Sequence, residues 1–168
     1  MQDDKQTKLP NVSVRFAEEE DVPLILRFIK ALAAYEHMSD LVTATEEILH
    51  ESLFVRKKAE VVIAELEGEP VGFALFFHNF STFLGKPGIY LEDLFILPEK
   101  RGLGLGKLLL SFLAKLAVAR DCGRLEWWCL DWNKPSIDFY KLMGAKPMDE
   151  WTVYRVDGNA LTDLAAQF

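Results

Sequence analysis

The 168-residue chain is poor in cysteine, with only Cys122 and Cys129 and six residues between them. That excludes a disulfide framework. The three histidines, His37, His50 and His78, are scattered, so no metal-ligand spacing arises and no metal site is expected. The two thiols are expected to be buried in a reducing compartment. Basic charge is scarce too: 19 Lys and Arg stand against 26 Asp and Glu, a net charge of −7. No basic patch stands out, so nucleic acid is not an expected partner. An acidic balance favours solubility and suits a cationic small molecule. No apolar run is long enough to span a bilayer, so no membrane partner is expected. The opening MQDDKQTKLP lacks an apolar centre. No signal peptide is therefore expected, and the expected location is the cytoplasm. Repeats and low-complexity segments are also missing. What is present is a globular composition, half hydrophobic and 12% aromatic. The length suits one domain over residues 11–168 behind a flexible tail at 1–10.

Periodicity sketches the elements. VSVRFA at Val12 alternates like a half-buried strand. Leu24, Ile25, Phe28, Ile29 and Leu32 have helical spacing behind an acidic, proline-containing start. Thr43 and Glu46 suggest a capping box for a second helix, EEILHESLF. Two apolar runs flank Glu67-Gly68-Glu69 and predict an antiparallel hairpin. GIYLEDLFILP reads as a third long strand, and a helix is predicted from about Gly104 to Ala119. GRLEWWCLDW predicts a strand, KPSIDFYKLMG a helix ended by Gly144, and EWTVYRVD a last strand. A short C-terminal helix can follow. The order β-α-α-β-β-β-α-β-α-β makes a mixed α/β domain.

Between the third strand and its helix lies EKRGLGLGKLLL, with glycines at 102, 104 and 106. A strand, a glycine turn and a helix N-terminus form a common anion site, because unpaired amides and the macrodipole favour negative charge there. The P-loop pattern fails: Arg101 stands where its first glycine belongs, and Leu108 where Ser or Thr is needed. The dinucleotide pattern G-x-G-x-x-G fails at Lys107. What matches is R-x-x-G-x-G, on Arg101, Gly104 and Gly106.

That pattern after YLEDLFILP, with DWNKPSIDFYKLMGA downstream, resembles the GNAT superfamily of acyl-CoA-dependent N-acetyltransferases. ALAAYEHM, YLEDLFILPEKRGLGLG and EWTVYRVD extend the resemblance to the diamine (spermidine/spermine) and thialysine branch, from about Val14 to about Leu164. The resemblance implies a mostly antiparallel twisted sheet flanked by helices, with acetyl-CoA as cofactor. It also implies a homodimer to which the last strand contributes. The backbone of Leu94, Phe95 and Ile96 would meet the pantetheine arm. The segment Arg101, Gly102, Leu103, Gly104, Leu105, Gly106 and Lys107 would hold the pyrophosphate. Asn133, Ser136 and Tyr140 would complete the coenzyme site. Ser136 and Tyr140 are four apart, so one helix face can carry both.

Acetyl transfer needs a neutral amine. At pH 7 only roughly one alkylamine in a few thousand is neutral, so the site must bind a cation and take its proton. Glu92 is the expected base, directly or through water, and the resemblance implies Tyr140 as the acid for the departing thiolate. Glu92 and Asp93 are neighbours on a strand and face opposite ways unless the strand is bulged. For the amine, the branch resemblance points to Tyr35, Glu36, Glu92, Asp93, Glu126, Trp127, Trp128 and Trp151. An aromatic ring with a carboxylate makes a reasonable ammonium site, although Trp127 and Trp128 could equally be core. Phe83 stands where branch members carry tryptophan, and the segment LDWN leans to the thialysine type while the residues around Ser136 lean to the diamine type. A small amine, a protein N-terminus or lysine as acceptor, and a non-catalytic acyl-CoA-binding role all remain open at this level.

Overall fold

The structure is a computed structural model that describes residues 7–168. In β1 (Val12–Phe16) the alternation works as expected, with Val12 and Val14 buried. β2 (Glu60–Leu66) and β3 (Glu69–Ser81) form the predicted hairpin. Its two-residue loop has Glu67 and Gly68 at φ 55° and 84°, the paired left-handed geometry of tight hairpins. β4 (Lys86–Ile96) pairs antiparallel with β3. β5 (Leu125–Trp127) lies parallel to β4 and completes a sheet of order β1-β2-β3-β4-β5.

Helix α1 (Val22–Tyr35) buries Ile25, Leu26 and Phe28 on one face of the sheet. The Phe28 ring stacks on Phe73 at 5.5 Å and meets Phe95 at 5.9 Å. Helix α2 (Glu46–His50) continues as a wider π-type turn and adds Leu49 and Leu53 to the same core. Its cap is Thr45, not Thr43: the Thr45 hydroxyl accepts the Ile48 N–H at 3.3 Å, the reach an N-cap needs. Helix α3 (Leu105–Ala119) buries Leu105, Leu109, Leu110, Leu113 and Leu116. It covers the opposite face, where Val62, Ala74 and Phe76 point.

Of the described residues, 7–128 form one compact unit and Cys129–Phe168 a second. The second carries α4 (Lys134–Leu142), stopped by Gly144 at φ 87°, and the C-terminal helix α5 (Gly158–Ala165). Of the expected tail, residues 1–6 lie outside the described residues. From Thr7 the chain is tied down, since the Thr7 hydroxyl donates to the Val12 carbonyl at 2.9 Å. Two expected strands change. GRLEWWCLDW shrinks to Leu125–Trp127, because the β4–β5 ladder stops opposite Leu91. EWTVYRVD forms no strand: its residues 151–157 are exposed and paired with no edge. Alternation alone leaves backbone groups that only a neighbouring strand or water can satisfy. Cys122 and Cys129 are partly exposed rather than buried.

Candidate active site

Strand β3 places Phe73, Leu75, Phe77 and Asn79 on the face that α1 covers at one end. β4 has one residue more than its partner: Asp93 lies opposite Leu75 and Leu91 opposite Phe76, leaving Glu92 unpaired in a bulge. Asp93 and Tyr90 thereby share the face of Leu75 and Phe77, with exposed Glu92 between them. The bulge interrupts the strict alternation between the two neighbouring acids.

Charge accumulates here. Burial, then the charges of Glu92 and Glu36, push the Asp93 carboxyl up to about 6. Glu36, just past the end of α1, is itself raised by burial. The Tyr90 hydroxyl is raised by burial, then by Glu92 and Glu126. Rings surround it: Phe77 at 5.1 Å and Trp128, edge-on, at 5.8 Å. Glu126 is Tyr90's partner in the parallel ladder, and its carboxylate accepts from Asn79 Nδ2 at 2.8 Å and pairs with Arg124 Nε at 2.9 Å. Trp127 is half-buried and Trp128 exposed, so the Trp pair is not simply core. Tyr35 lies under the Arg101 guanidinium, 4.7 Å from ring centroid to charge.

Tyr90, Phe77, Asn79 and Arg124 were not among the sequence candidates. Tyr90 could have been found, since it lies two residues from Glu92 on a strand. Asn79 could not: 47 residues separate it from Glu126.

Beyond the bulge, β4 offers an edge. The Leu97 N–H bonds to the Val71 carbonyl at 2.9 Å, which sets the ladder's phase. Asp93 and Phe95 therefore spend their backbone groups on β3, while Leu94 and Ile96 direct theirs to the opposite edge. β5 has ended by then. Arg101 Nε donates to the Ile96 carbonyl at 3.1 Å. The Phe95 ring is in the core. Next comes the glycine turn, with Gly102 and Gly104 at φ 80° and 83°, conformations that a side chain would strain. Gly104 starts α3, whose first internal bond runs from the Leu108 N–H to the Gly104 carbonyl at 3.0 Å. The amides of Leu105, Gly106 and Lys107 precede that bond and have no acceptor within the helix. Leu105 buries its side chain, while Leu103 and Lys107 are exposed. An open strand edge followed by a nest of amides fits an extended amide-bearing arm that ends in a diphosphate.

In the second unit, buried Asn133 caps α4: its Oδ1 accepts the Ser136 N–H at 3.4 Å. Ser136 and Tyr140 follow one turn apart, both partly buried, with Tyr140 5.4 Å from the Phe139 ring. Trp151 is 73% exposed and lies outside any regular element. Among the described residues, no cluster of three His, Cys, Asp or Glu could hold a metal, and no helix is long and apolar enough to cross a membrane.

Comparison with known proteins gives relatives over nearly the whole chain. Thialysine N-epsilon-acetyltransferase of Bos taurus is 38% identical, with 93% of this chain and 98% of that protein covered. L-ornithine N5-acetyltransferase of Arabidopsis thaliana is 32% identical, over 88% of this chain and 85% of its own. An integron cassette protein from the mobile metagenome of V. cholerae superposes with a TM-score of 0.77 at 28% identity, covering 92% of this chain and 98% of that one. Residues 26–145 match the family described as Acetyltransferase (GNAT) family. Members of that family use acetyl-CoA as co-substrate. With most of its length inside that match, the chain belongs to the GNAT family and is an acetyltransferase.

Proposed function

We propose that the protein transfers the acetyl group of acetyl-CoA to the primary amine of a small cationic acceptor: a diamine, a polyamine or a thialysine-like amino acid. The observation that carries this reading is the bulge at Glu92. It turns Asp93 onto the aromatic-lined face that carries Tyr90, with the charges of Glu92 and Glu36 close enough to be felt by Asp93. Carboxylates with rings form a site for an ammonium. Activity on thialysine and ornithine in the relatives points the same way.

When bound, acetyl-CoA supplies an activated thioester carbonyl. The backbone groups of Leu94 and Ile96 would line its pantetheine arm, and the amides from Gly102 to Lys107 its diphosphate. Glu36, Glu92 and Asp93 draw in the ammonium. Exposed Glu92 takes its proton, directly or through water. Tyr140 gives a proton to the departing sulfur, and Asn133 and Ser136 set the helix that carries it. A second reading assigns the proton to Asp93, whose carboxyl titrates near 6, close to where a base works best at neutral pH. A homodimer belongs to this proposal. The unpaired stretch through Val153, Tyr154 and Val156 has the alternation and exposure of a strand awaiting an edge.

The test is coenzyme A release across putrescine, spermidine, spermine, thialysine, lysine and a lysine peptide. Turnover with one small amine is expected. Turnover with the peptide alone would move the acceptor to protein. Tyr140→Phe should cut turnover sharply with little loss of coenzyme affinity, and unchanged turnover would remove Tyr140 from the chemistry. In a pH–rate profile, an acid limb near 6 that vanishes in Asp93→Asn would favour Asp93 over Glu92.

A further inference from the structure

One carboxylate at this face is held by a residue that acetyl transfer itself does not use. The two oxygens of Glu126 have separate partners, Asn79 Nδ2 at Oε1 and Arg124 Nε at Oε2. Arg124 brings charge and is well exposed to solvent, which screens it. Asn79 is neutral, so it orients the carboxylate without cancelling its charge. To do so it reaches from β3 across β4 to β5, passing over Gly88, its register partner. Glycine is what permits this passage: a Cβ at residue 88 would run into Asn79 Oδ1 and crowd Arg124 Cγ at 3.0 Å. The same Oδ1 is buried with no hydrogen-bond partner. A glycine in mid-strand and an unsatisfied buried oxygen both cost stability, and both serve the single bond from Asn79 to Glu126.

That bond fixes a carboxylate beside Tyr90, whose ring is flanked by Phe77 and Trp128, while Glu92 and Asp93 lie on the bulge side. Acid, aromatic strip and acid follow one another along the face. This order matches an acceptor with an ammonium at each end of an apolar chain. We infer that Asn79, seated on Gly88, is a positioning residue that holds Glu126 for the second, non-reacting ammonium of a dicationic acceptor. The inference rests on the acceptor site proposed above.

The test is titration calorimetry of the full chain with α,ω-diamines of three to five carbons and with monoamines of equal length. The wild type should prefer the diamine. Asn79→Leu should weaken diamine binding about tenfold and leave monoamine binding within about twofold. Gly88→Ala should reproduce that pattern, because its methyl runs into the Asn79 amide and breaks the hold on Glu126 while keeping both side chains. If Gly88→Ala does not fold, Asn79→Ser replaces it. In turnover with acetyl-CoA the loss should fall on KM rather than kcat, whereas general damage would lower kcat as well. An unchanged diamine-to-monoamine ratio in Asn79→Leu, or an equal loss for both ligands, would overturn the inference. A wild type that acetylates monoamines without preferring diamines would overturn it too, and leave acetyl transfer standing. Diamine binding without turnover would defeat the acetyl-transfer reading alone, and the ratio in the variants would still decide this one.

Discussion

On one side of Glu92 the face of the β3–β4 ribbon is closed, and on the other it is open. Phe73 and Phe95 lie opposite each other under Phe28 of α1, 0% and 3% exposed. Four residues along β3, Phe77 pairs with Tyr90 in the same ladder, and both stay partly exposed. The residue types are nearly the same and the cover differs. Helix α1 stops at Tyr35, and His37 at φ 60° turns the chain away. An aromatic pair is core where a helix lies over it and partly exposed surface where the helix has ended. The bulge marks the border and supplies the charge.

The strongest way to test this contrast is truncation on each side. Phe73→Ala should cost about 3–5 kcal/mol in urea unfolding. Phe77→Ala should cost less than about half of that and should weaken the acceptor's KM. Equal losses would mean that the open half is core after all. Asp93 comes next. Its folded pKa of about 6 lies above the ordinary 3.8, so the folded state holds the extra proton between these values. Wild-type stability should therefore fall as pH rises from about 4 to about 6. Asp93→Asn should flatten that slope, leaving the part contributed by Glu36, and be more stable than wild type by up to about 3 kcal/mol at pH 8, with impaired turnover. Thermal unfolding across pH checks the slope, and a parallel shift at every pH would refute it.

Smaller effects lie outside the ribbon. Gly102→Ala meets no atom with its new methyl, so its cost is backbone strain alone, about 1–2 kcal/mol at φ 80°. It should also lower coenzyme affinity by disturbing the amide nest, as calorimetry would show. Thr45→Ala removes the cap of α2, which covers only the closed half. It should cost about 0.5–1 kcal/mol and leave the acceptor's KM unchanged. A shift in KM would mean that the two halves are coupled.

Local chemistry explains why so much of the fold was legible. The Glu67-Gly68 turn, the Leu ladder of α3 and the proline and glycine around α4 each act within a few residues, and each appears where the periodicity placed it. The failures share one cause. Spacing to Glu46 points to Thr43 as a cap, and the choice of Thr45 depends on where the chain turns into α2. EWTVYRVD has a strand's alternation and forms no strand, because alternation does not supply a pairing partner. The pairing of Glu92 with Asp93 was visible in sequence, together with the condition that a bulge must resolve it, and the bulge itself was not.

By itself, then, the sequence determined the helices, the hairpin and a glycine turn with free amides, since dihedral preference and side-chain spacing act over short range. Tertiary structure alone decided that Asp93 would turn to the face of Tyr90, that Asn79 would reach Glu126, and that α1 would leave Phe77 uncovered. Those outcomes depend on strand register and on burial by elements far away in the chain. A carboxylate's pKa or an aromatic ring's exposure is a property of its neighbours, and only folding chooses them.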